Sequence, residues 1–332
     1  MLFSEKQKSI LTLLADGCFH SGTELAEALG VSRSAICKHL KALSELGIAH
    51  SAVSGKGYKL DKALELLAHS PIAAQLSLNS LAAISRIELH DSLASTNTYL
   101  LEQAQHQAPS GLVCLAEQQT AGKGRRGRQW VSPYGSNIYL SILWRFQQGG
   151  MASTQGLSLA VGVAVIRALR QLGIGEVGLK WPNDIYSGGK KLGGILIEVS
   201  GEADGPCTAV IGLGLNMYVP DSAAQGITQA WTDLQQIMAG QRISRNGLAG
   251  RLIDELLTVV NGYEQRGLKA YVEEWRSYDC LQGHAATLYL GQQTLNGTVL
   301  GIDDNGLLLL AKADGNNQAF ASGEVSFNQA GL

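Results

Sequence analysis

The sequence predicts an α+β protein of several domains, with an N-terminal winged helix-turn-helix, a central mixed-sheet α/β domain and a small C-terminal β barrel. Its 332 residues exceed one average domain of roughly 150. Apolar residues at helical spacing precede a short hairpin in the first 60 residues, and strands then interleave with helices. After residue 278, short apolar runs alternate with turns. We expect domains at 1–62, 81–278 and 279–332, with a linker at 63–80.

Composition indicates a globular protein. Hydrophobic residues make up 45% of the chain and charged residues 16%. The net charge of -2 means that any affinity for nucleic acid must come from a local basic patch. The first 17 residues lack the pattern of a signal peptide, and the longest apolar run, 157–169, is too short to span a bilayer. We therefore expect a cytoplasmic protein with no membrane segment.

Three helices are predicted at the N-terminus. The first, 4–16, ends at Gly17, and the second begins after Ser21 with Glu24 three residues on, the spacing of a capping box. Gly30 ends the second helix, and Ser32 caps the third. Two short helices joined at a glycine predict a helix-turn-helix. The residues expected to face outward toward DNA are Ser32, Arg33, Ser34 and Lys38.

A hairpin and a linker follow these helices. Runs 48–53 and 58–60 predict two strands around the turn 54–57, whose tip carries Lys56 and would form a wing near phosphate. A segment rich in alanine and leucine, 63–76, predicts a linker helix broken by Pro71. The first domain is therefore expected to end before residue 81.

The middle of the chain predicts a layered domain. Strands are expected at 86–89, 112–116, 137–144, 178–181, 192–199 and 208–215. Helices are expected at 95–105, 155–171, 244–266 and 268–277. Interleaving of this kind predicts a mixed sheet covered by helices, although it does not fix the connectivity. Short runs at 286–290, 294–300 and 307–311 predict the terminal β barrel.

A glycine-rich cationic segment, Gly-Lys-Gly-Arg-Arg-Gly-Arg at 122–128, carries the strongest chemical signal. Glycines let backbone N–H groups approach phosphate closely, and the cations can neutralise a polyphosphate. The segment is neither a phosphate-binding Walker loop nor a dinucleotide-binding turn. Taken alone, it fits a ligand-binding loop and a nucleic-acid patch equally well.

Three further motifs could bind anions or could serve only the fold. Lys-Trp-Pro-Asn-Asp at 180–184 ends a strand, and Lys-Lys-Leu-Gly-Gly at 190–194 enters the next; the alternative is a simple turn. Asp-Ser-Leu-Ala-Ser-Thr-Asn at 91–97 leads into a helix, so its hydroxyls could simply cap it. Residues 211–216 form a strand whose glycines clear space before Asn216.

These motifs, in this order and spacing, resemble the biotin-protein ligase family. The match covers nearly the whole chain, and the helix-turn-helix resembles the members that also repress biotin synthesis genes. The most specific parts are Ser95-Thr96-Asn97, residues 117–128, 180–184 and 191–198. Many members have arginine where this chain has Lys123, which keeps the charge but loses arginine's planar fork. The resemblance implies an SH3-like fold for the C-terminal barrel.

The resemblance also implies a reaction and a set of site residues. Biotin and ATP would form biotinyl-5'-AMP, with Mg2+, before transfer to a carrier lysine. Catalytic roles would fall to Lys191, Arg125 and Lys180. Biotin would be bound by Ser95, Thr96, Asn97, Gln119, Lys123, Gly124, Arg125 and Lys191. ATP and the adenylate would be bound by Gly122, Arg128, Trp130, Asn183 and Asn216, and magnesium by Asp184.

The partners implied by the resemblance are the biotin carrier domain of acetyl-CoA carboxylase and operator DNA of biotin synthesis genes. Biotinyl-5'-AMP would act as corepressor by favouring a homodimer. Two alternatives remain open. A biotin-sensing repressor without catalysis explains the helix-turn-helix but not the cationic loop, and a lipoate-protein ligase shares the central fold and the adenylation chemistry. The winged helix could also be retained only for packing.

Overall fold

The winged helix-turn-helix is present at the N-terminus. A computed structural model of the chain describes residues 4–45, 47–201 and 204–327, so the ends of the first and last predicted domains lie outside it. The elements are α1 Glu5–Leu14, α2 Gly22–Leu29, α3 Arg33–Glu45, β1 His50–Val53 and β2 Gly57–Leu60. Ser21 and Glu24 form the predicted capping box, and Gly30 adopts a left-handed conformation at φ 60° that favours glycine.

A small apolar core holds this domain together. It is built from α1, α2, α3 and β2, and its fully or almost fully buried members are Ile10, Leu11, Leu14, Leu25, Ile36, Leu40, Leu43 and Leu60. Tyr134, a central-domain residue, is 5% exposed and belongs to the same cluster. Lys8 of α1 also pairs with Asp91. The winged helix is therefore seated directly on the central domain.

The predicted linker helix at 63–76 is wrong. Residues 63–68 are not helical, and the helix is limited to α4, His69–Ala73, followed by α5, Leu78–Ala83. Distant side chains bind the backbone of the extended part: the N–H of Leu67 donates to Glu117 and that of Ala68 to Asn246. These bonds replace the ones a helix would supply. Pro71 is tolerated because it lies in the first turn of α4, where its missing N–H has no helical partner.

The central domain is built on a seven-stranded mixed sheet. Its strands are β3 Arg86–Leu93, β4 Leu112–Gln119, β5 Ile138–Phe146, β6 Gly178–Lys180, β7 Asp184–Ser187, β8 Lys190–Gly201 and β9 Cys207–Leu215. Their order is β3-β4-β5-β9-β8-β7-β6, with β3 and β4 parallel and the other pairs antiparallel. The six predicted strands are confirmed. The sequence pattern did not predict β7, which is short and follows a turn.

Helices cover the sheet. They are α6 Thr96–Gln105, α7 Leu157–Gln171, α8 Asp221–Ala224, α9 Leu234–Ile237, α10 Arg245–Arg266 and α11 Val272–Ser277. The predicted helix at 268–277 is divided into a 3-10 turn, Leu268–Ala270, and α11. Within the described residues, one stretch, Met151–Gln171, is long and apolar enough to cross a membrane by composition. It contains α7, which is mostly buried and packs on α10 in the core.

The C-terminal domain is an antiparallel sheet of five strands: β10 Ala285–Leu290, β11 Gln293–Ile302, β12 Leu308–Ala311, β13 Asn317–Phe320 and β14 Glu324–Phe327. The order is β13-β12-β11-β10-β14. The domain is joined tightly to the central sheet, because Leu179 of β6 exchanges backbone hydrogen bonds with Tyr278 and Cys280. Its apolar side chains also belong to the main core.

Candidate functional site

A cleft opens where the central sheet, the cationic loop and the C-terminal domain meet. Its lining residues come from the start of α6, the ends of β4, β6 and β9, the loop 123–130, strand β8 and residues 323–325. Six lining side chains are cationic, namely Lys123, Arg125, Arg126, Arg128, Lys180 and Lys191, and two are acidic, Asp184 and Glu324. The excess of positive charge makes the cleft suitable for an anion.

Polar side chains at the start of α6 form one end of the cleft. Ser95 caps the helix and is 3% exposed. The backbone N–H of Thr96 donates to Gln119 Oε1 at 2.9 Å, and Gln119 Nε2 donates to Ser132 Oγ at 3.0 Å. Asn97 lies deeper and donates to Leu196 O and Glu198. The two predictions for 91–97 are compatible here, since the segment both caps the helix and lines the cleft.

Two glycines of β9 clear the space that the sequence pattern predicted. A Cβ atom at Gly212 would lie 2.1 Å from Asn97 Oδ1, and one at Gly214 would lie 2.5 Å from the Trp130 ring. The Trp130 indole therefore lies directly against the strand backbone. Its Nε1 is buried without a hydrogen-bond partner among the described residues. A flat apolar surface with one unused donor suits an aromatic ligand with an acceptor at its edge.

The cationic loop folds back over the cleft. Residues Arg125–Gly127 form a 3-10 turn, with Arg126 at φ 55°. Backbone bonds close the loop, from Gly124 N to Arg128 O at 2.7 Å and from Trp130 N to Gly122 O at 2.8 Å. Arg125 Nη1 donates to Asn183 Oδ1 at 2.9 Å. Burial lowers the pKa of Arg125, an effect that Arg126 increases.

Two lysines flank one carboxylate on the cleft floor. Lys191 Nζ lies 2.7 Å from Asp184 Oδ1, and Lys180 Nζ lies 3.8 Å from Asp184 Oδ2. Lys180 is 6% exposed. Burial lowers its pKa, Asp184 opposes that shift, and Lys191 adds to it. An anionic ligand between the lysines would relieve their mutual repulsion.

Glu324 of β14 is a cleft residue that the sequence reading missed. Its carboxylate accepts a hydrogen bond from Arg128 and lies 3.9 Å from Arg126 Nη1. Burial raises the pKa of Glu324, but the hydrogen bond from Arg128 and nearby positive charge outweigh it, so the net shift is downward. An isolated glutamate in a short terminal strand carries no local pattern that could have revealed this contact.

Most of the predicted cleft residues line the cleft, and two do not. Gly122 lies beneath the loop, where a Cβ would come 2.5 Å from Trp130 O, and it borders an adjoining cavity. Asn216 is 4% exposed, donates from Nδ2 to Thr232 O and anchors the end of β9. In this structure its side chain supports the fold behind the cleft.

The predicted DNA-contacting side chains are all exposed on the winged helix. Ser32, Arg33, Ser34 and Lys38 are exposed on or beside α3, as is Lys56 at the hairpin tip. Lys59 and Lys56 lie 5.1 and 5.9 Å from the Phe19 ring centre. This surface is free to meet a phosphate backbone.

The described part of the chain contains no cluster of three or more His, Cys, Asp or Glu that could hold a metal ion. Asp184, the predicted magnesium ligand, is paired with Lys191. The protein residues alone therefore do not fit a resident metal. A divalent cation brought in by a polyphosphate would take most of its coordination from phosphate and water.

A winged helix packed on a central domain that carries a cationic cleft with an aromatic wall is the arrangement of a DNA-binding protein that also binds an anionic, nucleotide-like ligand. Comparison with known proteins makes this class specific. Residues 89–216 match the biotin/lipoate A/B protein ligase family, residues 6–59 an HTH domain, and residues 286–328 the biotin protein ligase C-terminal domain.

Relatives that match nearly the whole chain support the same family. The chain is 41% identical to the bifunctional ligase/repressor BirA of Escherichia coli over 97% of both chains. It is 33% identical to the Bacillus subtilis BirA over 92% of this chain and 93% of that protein. The biotin protein ligase of Aquifex aeolicus, solved with biotin and ATP, has the same fold, with a TM-score of 0.62 and 23% identity over 74% of this chain and all of that one. The chain belongs to the biotin/lipoate A/B protein ligase family, among its bifunctional ligase/repressors.

Proposed function

We propose that this protein activates biotin with ATP to biotinyl-5'-AMP and transfers biotin to a lysine of the carrier domain of acetyl-CoA carboxylase. The observation that carries the proposal is one cleft in which six cations adjoin a polar pocket at the start of α6. The family to which the chain belongs supports the same reaction. The cleft offers two environments. The polar pocket suits the uncharged polar head group of a ligand, and the cations suit phosphates.

Adenylation brings two anions together, and the lysines on the cleft floor would reduce the repulsion between them. A carboxylate must approach the α-phosphate of ATP in line, so cations must screen both groups as the negative charge redistributes. Lys191, which is 2.7 Å from Asp184 in the structure, would lie between them once the ligand displaces Asp184. Lys180 and Arg128 would support the phosphates. The reaction needs no protein nucleophile, since the substrate carboxylate is the attacking group.

The remaining predicted contacts follow from their places in the cleft. Ser95, Thr96 and Gln119 would bind the ureido head, and Trp130 would stack on adenine. Lys123, Gly124 and Arg125 belong to the loop that covers the cleft, and Arg125 is tied to Asn183. A closed loop would shield the mixed anhydride from water. Magnesium would arrive with the triphosphate, with Asp184 as its predicted protein contact, and no step here depends on it.

The regulatory half of the proposal concerns DNA. The exposed residues of α3 and the wing would bind operator DNA of biotin synthesis genes in the major groove and along phosphates. Biotinyl-5'-AMP would act as corepressor by favouring a homodimer on a two-part site, and the protein would work in the cytoplasm. A footprint at such an operator that strengthens with biotin and ATP is the expected result. A footprint indifferent to both would contradict the regulatory half.

The ligase activity is tested with purified protein, biotin, Mg-ATP and a biotin carrier domain, scored by the mass of the carrier. Biotin-dependent labelling, with lipoate as the competing substrate, is the expected outcome. Labelling by lipoate in preference to biotin would indicate the related ligase instead. Tight biotin binding without any labelling would leave a sensor without catalysis.

A further inference from the structure

The side chain of His20 lies between two carboxylates in the winged helix. Its Nε2 lies 3.0 Å from Asp16 Oδ2, just after α1, and its Nδ1 lies 3.0 Å from Glu24 Oε1 in α2. At neutral pH a carboxylate only accepts hydrogen bonds, so each ring nitrogen must carry a hydrogen for both contacts to form. A histidine with both hydrogens is an imidazolium cation. The geometry is therefore that of the charged form of His20.

The surroundings of the ring favour this charged form. The hydrogen bond to Glu24 raises the pKa of His20, burial opposes that shift, and the hydrogen bond to Asp16 adds to it, so the pKa lies above its ordinary value of 6.5. When the ring loses a proton, one nitrogen becomes an acceptor that faces a carboxylate oxygen. One of the two contacts is then lost as the pH rises past neutrality.

The backbone of His20 holds the wing. Its N–H donates to Tyr58 O at 2.9 Å, and its carbonyl oxygen accepts from the N–H of Tyr58 at 2.8 Å. A Cβ atom at Gly57 would lie 2.0 Å from His20 O, so the hairpin approaches this segment as closely as only a glycine allows. The position of the wing thus depends on the position of the His20 backbone.

The residue before His20 contacts the cations of the wing. The Phe19 ring has both Lys59 and Lys56 within 6 Å of its centre, at 5.1 and 5.9 Å. Attraction between a cation and the face of an aromatic ring restricts where the two side chains lie. Residues 19 and 20 therefore hold the backbone of the wing and also place the lysines that are expected to meet phosphate.

Other titratable and charged groups around this junction come from β1, β2 and α3. The Tyr58 hydroxyl of β2 lies 3.2 Å from Cys37 Sγ of α3, a contact that raises the pKa of Tyr58, so the phenol stays neutral near pH 7. Arg33 of α3 lies near the same tyrosine and keeps its charge. The ring of His50 in β1 is 6.4 Å from that of Tyr58, centre to centre. Among these groups, His20 is the one that bridges two carboxylates.

We propose that His20 is a positioning residue for the wing, and that its protonation between Asp16 and Glu24 makes DNA binding by the winged helix stronger at pH 6 than at pH 8.5. The inference rests on the regulatory half of the proposed function, in which the wing meets phosphate. A group whose pKa is raised in the folded state contributes stability that is fully present below its ordinary pKa and is lost as pH rises through the folded-state pKa. The wing should therefore be held most firmly near pH 6 and less firmly above neutrality.

Two measurements on the full-length protein at constant ionic strength test this between pH 6 and 8.5. One is hydrogen exchange of the wing, residues 50–60, corrected for the intrinsic effect of pH. The other is affinity for a mixed-sequence DNA duplex, which suffices because phosphate contacts carry no sequence information. Over this range, both the protection of the wing and the affinity should fall at least about threefold more in wild type than in His20→Gln.

A double variant, Asp16→Asn with Glu24→Gln, separates charge from shape. Glutamine can serve the capping box with Ser21, and asparagine can accept the N–H of Cys18 that Asp16 accepts. The double variant should fold and should show the same weak pH dependence as His20→Gln, because no carboxylate remains to hold the imidazolium. If His20→Gln does not fold, the double variant supplies the comparison with wild type.

His50→Gln is the matched control, because His50 belongs to the same domain and its Nδ1 bonds to the neutral hydroxyl of Ser44. It should keep the pH dependence of wild type. If wing exchange or DNA affinity depends on pH equally in wild type and His20→Gln, the inference is overturned. Failure of the wild-type protein to bind DNA at any pH would instead overturn the regulatory half of the proposed function, and wing exchange would still test the role of His20.

Discussion

The carboxylate of Glu324 accepts a hydrogen bond from Arg128, which lies 196 residues earlier in the chain. The same carboxylate lies near Arg126. The C-terminal domain therefore holds the cationic loop in its folded position across the cleft. Without this acidic partner, the loop cations would face one another with little compensation.

Replacing Glu324 should release the loop. In Glu324→Ala, trypsin should cleave after the arginines of the loop several-fold faster than in wild type, because local opening becomes easier. Mass analysis of the fragments locates the cut. Glu273→Ala removes the acidic partner of an arginine outside the loop, Arg276. It should leave cleavage there unchanged, and equal rates in both variants would argue against the contact.

Lys191→Ala should fold normally yet nearly abolish pyrophosphate release in the presence of biotin and ATP. The loss of one preorganised charge at the reacting groups is expected to cost about 3 to 4 kcal/mol of transition-state stabilisation. Lys190→Ala removes the adjacent, exposed lysine and should retain activity. Near-normal pyrophosphate release by Lys191→Ala would remove this residue from the mechanism.

Gly214→Ala should weaken nucleotide binding. The added Cβ would lie 2.5 Å from the Trp130 ring and force the indole away from β9. We expect the KM for ATP to rise at least tenfold, measured by pyrophosphate release. Gly175→Ala is the control, since Gly175 has open space around it and no positive φ. An unchanged KM in Gly214→Ala would mean that Trp130 does not form the nucleotide wall.

Glu117→Ala should destabilise the fold. Glu117 and Arg245 form a buried ion pair, and Glu117 also accepts the N–H of Leu67 in the linker. Removing one partner leaves a buried charge uncompensated, which typically costs about 3 to 5 kcal/mol. Urea unfolding measures the loss of free energy. The exposed Glu176→Ala should change it by less than about 0.5 kcal/mol.

Asp279→Asn should stabilise the junction between the central and C-terminal domains at neutral pH. Burial raises the pKa of Asp279 from 3.8 to about 6, and its Oδ2 has no hydrogen-bond partner among the described residues. The folded state therefore binds more protons than the unfolded state between about pH 4 and 6, so wild-type stability falls as pH rises through that window. The shift corresponds to at most about 3 kcal/mol.

Thermal unfolding from pH 4 to 8 checks this prediction. The difference between Asp279→Asn and wild type should be small near pH 4 and reach its full size above pH 6. The backbone hydrogen bond from Leu281 to the side-chain Oδ1 is kept by asparagine. A constant difference over the whole range would mean that the Asp279 carboxyl does not titrate as inferred.

Local sequence patterns predicted what depends on near neighbours. The capping box of Ser21 and Glu24 lies within four residues, and the glycines of β9 follow the strand period. Contacts between distant segments were not visible in this way. Residues 63–68 have helical composition, yet Glu65 bonds to Arg245, 180 residues away, and this attachment keeps the segment extended.

In the site, too, local motifs were predictable from the sequence and contacts between distant segments were not. Motif residues such as Thr96 and Lys191 reach the cleft because their elements place them there. The side-chain amide of Asn216 donates to the backbone oxygen of Thr232, and Glu324 reaches the cleft from the C-terminal domain. Neither contact leaves a pattern in the flanking residues, because each is decided by how separate elements pack.

The placement of Tyr134 limits how this protein can be taken apart. Four residues before it, Trp130 forms a wall of the cleft, while Tyr134 itself completes the core of the winged helix. A shortened protein that begins after residue 62 would leave this aromatic ring in water and would loosen the segment that carries the cleft wall. The two modules are therefore not interchangeable parts, and a domain transplant would have to carry residues 130–135 with the DNA-binding half.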